Sequence, residues 1–126
     1  MALIPAFPIL GKCPLKLDGS PLTLRVIVGQ GQLNEGSYDI KATVKSPPSA
    51  SGIVQSGLPI ALGADTDLVG QRLSVLITVA AMLSLDTSIT VDLTGGKTDI
   101  HIVNATKANQ IGDVVAYEAY FRFTKT

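Results

Sequence analysis

The sequence predicts an all-β fold, either an antiparallel β-sandwich or a flattened barrel of about six to eight strands. Stretches in which apolar and polar residues alternate recur along the 126-residue chain, and this period of two is typical of strands that bury one face. Segments rich in Gly, Pro and Ser separate these stretches, as they do in the loops of sandwiches. One hydrophobic core suffices for a chain of this length.

Two parts are predicted along the chain, an extended Pro-rich apolar arm over residues 1–21 and a single β-sandwich domain over residues 22–126. The arm holds four of the seven prolines. Proline fixes φ and lacks the N–H that a central strand needs, so an extended segment is expected there rather than a strand inside the sheet.

The arm carries five large apolar side chains that must be covered: Leu3, Ile4, Phe7, Ile9 and Leu10. They can be buried along the edge of their own domain or in a groove on a neighbour. Because the prolines stiffen the arm, folding back over its own domain is disfavoured. We therefore expect these five residues to dock on another subunit.

The elements of the domain follow from the pattern of residues. Strands are predicted at residues 22–28, 38–45, 88–93, 98–103 and 114–124. Gly95 and Gly96 supply the positive φ angles of a tight hairpin between the third and fourth of these strands.

Three other segments of the domain are less regular. Residues 29–36 are expected to form a loop, and residues 53–62 a short edge strand. Residues 68–83 fit a helical stripe as well as a strand, although their β-branched residues favour the strand.

The charges are few and balanced. Ten Lys and Arg residues oppose ten Asp and Glu residues, and only 16% of the chain is charged. The charges are scattered along the sequence, so no footprint for a phosphate backbone is visible and nucleic acid is not an expected partner. A neutral surface also lacks self-repulsion, which favours a homo-oligomer or assembly with other protein subunits.

The residues that usually carry chemistry are sparse. His101 and Cys13 are single, so neither a disulfide within the chain nor a zinc cluster is expected. His101 is expected to be a solvated histidine near Asp99 or Asp113, and Cys13 a small apolar filler. Asp65, Asp67 and Asp86 lie in or near predicted loops and could supply oxygen ligands for calcium, but this spacing is common by chance and no calcium site is expected. We expect no catalytic residue, no cofactor and no metal.

No targeting segment or membrane span is predicted. The apolar N-terminus has no basic start and is broken by Pro5 and Pro8, unlike a signal peptide. The longest apolar run, residues 75–83, is far shorter than the roughly 20 residues that cross a bilayer. These patterns leave the location open, with cytoplasmic synthesis or virion assembly both compatible.

The proline-broken apolar arm and the low-charge β domain are together similar in composition to small subunits of virion shells, tails and surface appendages. The resemblance implies a non-catalytic structural subunit that self-associates through its neutral β surface and its arm. The alternative is a small ligand-binding or carbohydrate-binding β-sandwich module, because the loops are rich in Gly, Ser, Asn and Asp.

Overall fold

A computed structural model describes residues 2–125 and places ten strands in two sheets. The strands are β1 (Leu3–Pro5), β2 (Ile9–Pro14), β3 (Pro21–Val28), β4 (Leu33–Lys41), β5 (Ala50–Ile53), β6 (Ile60–Ala64), β7 (Arg72–Ala80), β8 (Asp86–Thr94), β9 (Ile100–Lys107) and β10 (Val114–Thr124). A 3-10 turn at Gly29–Gly31 and one helical turn, α1 (Asp65–Leu68), complete the described elements.

The strands form two antiparallel-rich sheets. The first sheet has the order β1–β10–β7–β4–β5, with β2 also paired to β10. The second sheet has the order β6–β3–β8–β9. β1 and β2 run parallel to β10, while every other pairing is antiparallel. The predicted all-β sandwich class is confirmed.

The core lies between the sheets, where the central strands β3, β7, β8 and β10 bury alternate side chains. β10 contributes the largest ones, and Tyr117, Phe121 and Phe123 are completely buried. The Tyr117 hydroxyl lies 2.6 Å from Thr87 Oγ1, which donates to the Thr106 carbonyl at 2.7 Å. The Tyr117 hydroxyl group therefore has a hydrogen-bond partner inside the core, as a buried tyrosine requires.

Residues 68–83, for which the sequence allowed either a helix or a strand, form a strand over most of their length. β7 buries Leu73, Val75, Ile77 and Val79, while the residues between them are exposed or half-buried. The prediction of a strand is confirmed, because β7 pairs with β10 on one side and with β4 on the other. A helix could not form either pairing.

Two strand boundaries differ from the sequence prediction. β4 begins at Leu33 and ends at Lys41, because its first half pairs with β7 despite its Gly and Asn content. Pairing with a central strand overrides the weak local propensity of this segment. The single edge strand expected at residues 53–62 is instead two strands, β5 and β6, which lie in different sheets.

The separate arm expected at residues 1–21 is not confirmed, because β1 and β2 lie in the first sheet of their own domain. Ala6 N–H donates to the Ala116 carbonyl at 2.8 Å, and Leu15 N–H donates to the Thr124 carbonyl at 2.8 Å. The arm covers the edge of β10, which would otherwise present unpaired backbone groups. The prolines are tolerated because these strands lie at the edge of the sheet.

In the β8–β9 hairpin only one of the two glycines has the expected positive φ, while a Cβ atom on the other, Gly96, would lie 2.8 Å from the Pro14 carbonyl oxygen. Gly95 has φ +102°, whereas Gly96 has no positive φ. A Cβ atom on Gly95 would overlap the carbonyl oxygen of Pro21. Gly19 has φ +87° with no atom within 4 Å of a Cβ atom, so it isolates the cost of backbone strain.

We predict that Gly19→Ala lowers the free energy of unfolding by about 1 kcal/mol and Gly95→Ala by about 3 kcal/mol or more. Both variants place alanine at positive φ, but only the second also forces a collision with backbone. Urea unfolding of the two variants measures the difference. Equal losses would show that Gly95 is needed for its φ alone.

We also predict that deleting residues 2–12 lowers the melting temperature strongly, because the deletion uncovers the edge of β10 and removes the buried side chain of Ile9 from the core. Circular dichroism melts test this. Phe7→Ser is the control, since Phe7 is 89% exposed and its loss leaves the backbone pairing in place. A truncated chain with the same melting temperature as the full chain would show that the arm does not stabilise its own domain.

Candidate functional site

One end of the sandwich presents large apolar side chains to solvent. They come from four separate segments: the start of β1, the start of β4, the β7–β8 turn and the β9–β10 turn. The residues are Leu3, Leu33, Met82, Leu83 and Ile111, whose exposed fractions run from 52% to 72%. We call this surface the apolar end.

Strand register joins two of these residues into a continuous row on the outer face of the first sheet. Leu3 lies opposite Val114, Val114 opposite Ala80, and Ala80 opposite Leu33. A cavity of about 280 Å³ lies against Leu33, Ala80 and Val114, with a polar side formed by Asn34, Glu35 and Thr78. The apolar end therefore extends across four strands rather than consisting of isolated side chains.

The β7–β8 turn is held by the buried side chain of Gln32. Its Oε1 accepts hydrogen bonds from Met82 N–H at 3.0 Å and from Leu83 N–H at 2.9 Å, and its Nε2 donates to the Ser84 carbonyl at 2.7 Å. A buried amide with both ends satisfied fixes the backbone around it. Met82 and Leu83 are thus presented from an ordered turn.

The β9–β10 turn is held by the buried carboxylate of Asp113. It accepts from the backbone N–H groups of Ala2 at 3.0 Å, Asn109 at 3.1 Å and Gln110 at 3.0 Å. The hydrogen bond from Ala2 is the main cause that lowers the pKa of Asp113. One side chain therefore ties the turn that carries Ile111 to the start of β1.

The two turns are also bonded to each other. Ala81 N–H donates to the Asp113 carbonyl at 2.8 Å, and Gly112 N–H donates to the Ala81 carbonyl at 3.0 Å. Met82, Leu83 and Ile111 consequently share one rigid platform. Sequence reasoning missed this platform because its residues lie in two turns whose proximity follows only from the sheet order.

The five residues predicted for assembly do not form one surface. Leu3, Phe7 and Leu10 are exposed, with Phe7 at 89% and Leu10 at 74%. Ile4 packs partly against the core of its own domain, and Ile9 is buried in it. The split follows from alternation along edge strands, which sends neighbouring side chains to opposite faces.

The residues considered for chemistry have structural partners. His101 is exposed, and its Nδ1 lies 2.5 Å from Asp92 Oδ1, so its neighbour is Asp92 rather than Asp99 or Asp113. Asp65 is buried and accepts from Leu17 N–H at 2.7 Å and Gly19 N–H at 2.9 Å, which fixes the β2–β3 loop.

Cys13 is fully buried between the sheets. Burial raises the pKa of its thiol to about 11, so the thiolate that would act as a nucleophile is scarce at neutral pH. The position agrees with a small apolar filler.

Neither metal clusters nor membrane-spanning helices are found in the part of the chain that the structure describes. No group of three or more His, Cys, Asp and Glu residues among residues 2–125 is arranged to hold a metal ion. No helix over the same residues is long and apolar enough to cross a bilayer. Comparison with models of protein families, with curated proteins and with solved structures gives no match.

We predict that Asp113→Asn destabilises the protein at pH 7 and does so less as the pH falls. The folded-state pKa of Asp113 lies below the ordinary value of about 3.9, so its carboxylate stabilises the fold above that pH. This contribution is lost as the pH falls through the lowered pKa. Urea unfolding at pH 7 and pH 3 tests the prediction, with the exposed Asp99→Asn as control. A pH-independent difference would contradict it.

Proposed function

We propose that this chain is a non-catalytic structural subunit that assembles with further copies of itself through the apolar end. The observation that carries the proposal is the apolar platform of Met82, Leu83 and Ile111, which buried Gln32 and Asp113 hold in place. Ordered apolar side chains bind a partner without the entropy cost of ordering flexible loops.

The size of the apolar end suits an interface. Its five large side chains together expose on the order of 600 Å², at the upper limit for the largest patch on a typical monomer. A stable interface covers about 800 Å² on each partner. Val114 and Ala80, which continue the apolar row across β10 and β7, supply part of the remainder.

The charges around this end favour a second copy as the occupant. Asp86 lies opposite Lys107 where β8 and β9 meet the apolar end, so the two charges offset each other. The chain as a whole has no net charge at pH 7. Two identical copies can therefore approach without electrostatic repulsion, and one self-complementary patch on each is the simplest symmetric arrangement.

Repeated contacts of this kind build shells, tails and appendages, and the neutral β surface supports that role. The exposed Phe7 and Leu10 lie along the free edge of the first sheet and enlarge the surface available to further copies. The part of the arm proposed for assembly is accordingly Leu3, Phe7 and Leu10.

We predict that Leu83→Asp converts the oligomer to a chain-sized monomer at concentrations where the unmodified protein remains associated. A carboxylate buried in an apolar interface without a partner costs several kcal/mol. Sedimentation velocity across a hundredfold concentration range measures the effect.

Val44→Asp is the matched control, since Val44 is 65% exposed in the loop after β4, at the opposite end of the sandwich. It should leave the mass unchanged. An unmodified protein that is monomeric throughout, or equal losses of mass in both variants, would contradict the proposal.

A further inference from the structure

Four cationic residues lie in a single row across the outer face of the first sheet. Lys12 of β2 is opposite Arg122 of β10, Arg122 is opposite Arg72 of β7, and Arg72 is opposite Lys41 of β4. With neighbouring strands about 4.8 Å apart, this basic row extends over about 14 Å.

The basic row is unfavourable for the isolated domain. Like charges directly opposite on paired strands repel each other and destabilise a sheet. Among residues 2–125, the ion pair within 4.0 Å is that of His101 with Asp92, so no carboxylate neutralises the row at that distance. An anionic ligand that lies along the row would relieve this repulsion.

A groove of about 300 Å³ adjoins the basic row and is built from ordered side chains. Arg72 and Lys41 line it together with Ser74, Asp39 and Tyr120. The guanidinium of Arg72 lies 5.3 Å from the centre of the Tyr120 ring, a cation–π contact that orients the cation before any ligand binds. The groove therefore offers a fixed positive group rather than a freely moving one.

Asp39 supplies a second, independent indication of a ligand in the groove. Its Oδ1 atom is buried and has no hydrogen-bond partner among the described residues. A buried carboxylate oxygen without a donor is unfavourable, and such atoms in native proteins call for an explanation. A ligand hydroxyl would donate to this oxygen once the groove side chains that cover it move aside, and Ser74, which lines the same groove, adds a further polar group.

We propose that the groove and the basic row bind an acidic polysaccharide, a chain that carries both carboxylate or sulfate groups and free hydroxyl groups. The four cations would bind its anions, and Asp39 would accept a hydrogen bond from a hydroxyl. A single ligand class then accounts for the unneutralised row and for the unpartnered oxygen.

Nucleic acid fits these residues less well. Asp39 and Glu118 line the same groove and oppose any polyanion, so charge alone does not separate nucleic acid from an acidic polysaccharide. Single-stranded nucleic acids also bind through bases that stack on open aromatic rings, and Arg72 already lies over the ring of Tyr120. An acidic polysaccharide needs no stacking.

Calorimetry on the full chain at low salt tests the proposal with four probes: heparin for sulfate groups, alginate for carboxylate groups, dextran as a neutral chain and a single-stranded DNA oligonucleotide. We expect heparin or alginate to bind, with an affinity that falls as salt is added, and dextran not to bind. The comparison of heparin with alginate identifies the anion that is preferred. No binding of either, or tighter binding of the oligonucleotide, would overturn the proposal.

Two charge-matched double variants locate the site. Arg72→Gln with Arg122→Gln should weaken the binding of the preferred polysaccharide at least tenfold, while its melting temperature stays the same or rises because repulsion in the row is relieved. Lys16→Gln with Lys107→Gln removes the same charge from exposed positions outside the row and should change affinity less than twofold. Equal losses in the two variants would overturn the assignment.

The Asp39→Ala variant tests whether Asp39 contacts the ligand or whether binding depends on positive charge alone. If Asp39 accepts from a hydroxyl, the variant should bind the polysaccharide about fivefold more weakly. A surface acting through charge alone would bind more tightly once this carboxylate is removed, and that result would overturn the proposed role of Asp39. Leu83→Asp should leave polysaccharide binding unchanged, so the test is independent of self-association.

Discussion

The pairing of β10 on both of its edges is the constraint on which the rest of the structure depends. One edge pairs with β7 over nine residues, and the other pairs with β1 and β2. The inner face of β10 carries Tyr117, Phe121 and Phe123, which fill the space between the sheets. The pairing with β7 fixes the register of this strand, and a shift of one residue would turn its aromatic face to solvent.

The same constraint organises the surfaces. Because β1 and β2 lie on β10, Leu3 is carried to the apolar end and Lys12 to the basic row. The two ends of the outer face therefore differ in character, apolar where β10 begins and cationic toward its far end. A neutral chain can in this way present an apolar surface and a charged one without the two interfering.

Periodicity was enough to predict the strands that bury one face. β3, β8 and β10 alternate strictly in sequence, and the structure buries the expected face of each. The first half of β4 and both arm strands were missed, since Gly, Asn and Pro weaken a local pattern that tertiary pairing then overrides. Local propensity does not predict which distant strand will pair with a given segment.

The functional surfaces were the least predictable part. Lys12, Lys41, Arg72 and Arg122 are scattered in sequence, and only the registers of β2, β4, β7 and β10 bring them into one row. Gln32 likewise gave no sequence signal, because it bonds to a turn 50 residues further along the chain. Asp113 bonds to its own turn, but its bond from Ala2 joins it to the other end of the chain. Exposure of Leu3, Phe7 and Leu10 could be foreseen in part, but not the burial of Ile9.

The parallel pairing of β1 and β2 with β10 has a kinetic consequence. Leu3 pairs with Val114 and Pro14 with Thr124, so the partners are separated by most of the chain. Contacts between such distant segments form slowly, since a long loop must close before any of them is gained. On the ribosome, β2 cannot dock until residue 124 has emerged, and Ile9, Cys13 and Leu15 stay uncovered for as long as translation takes to reach it.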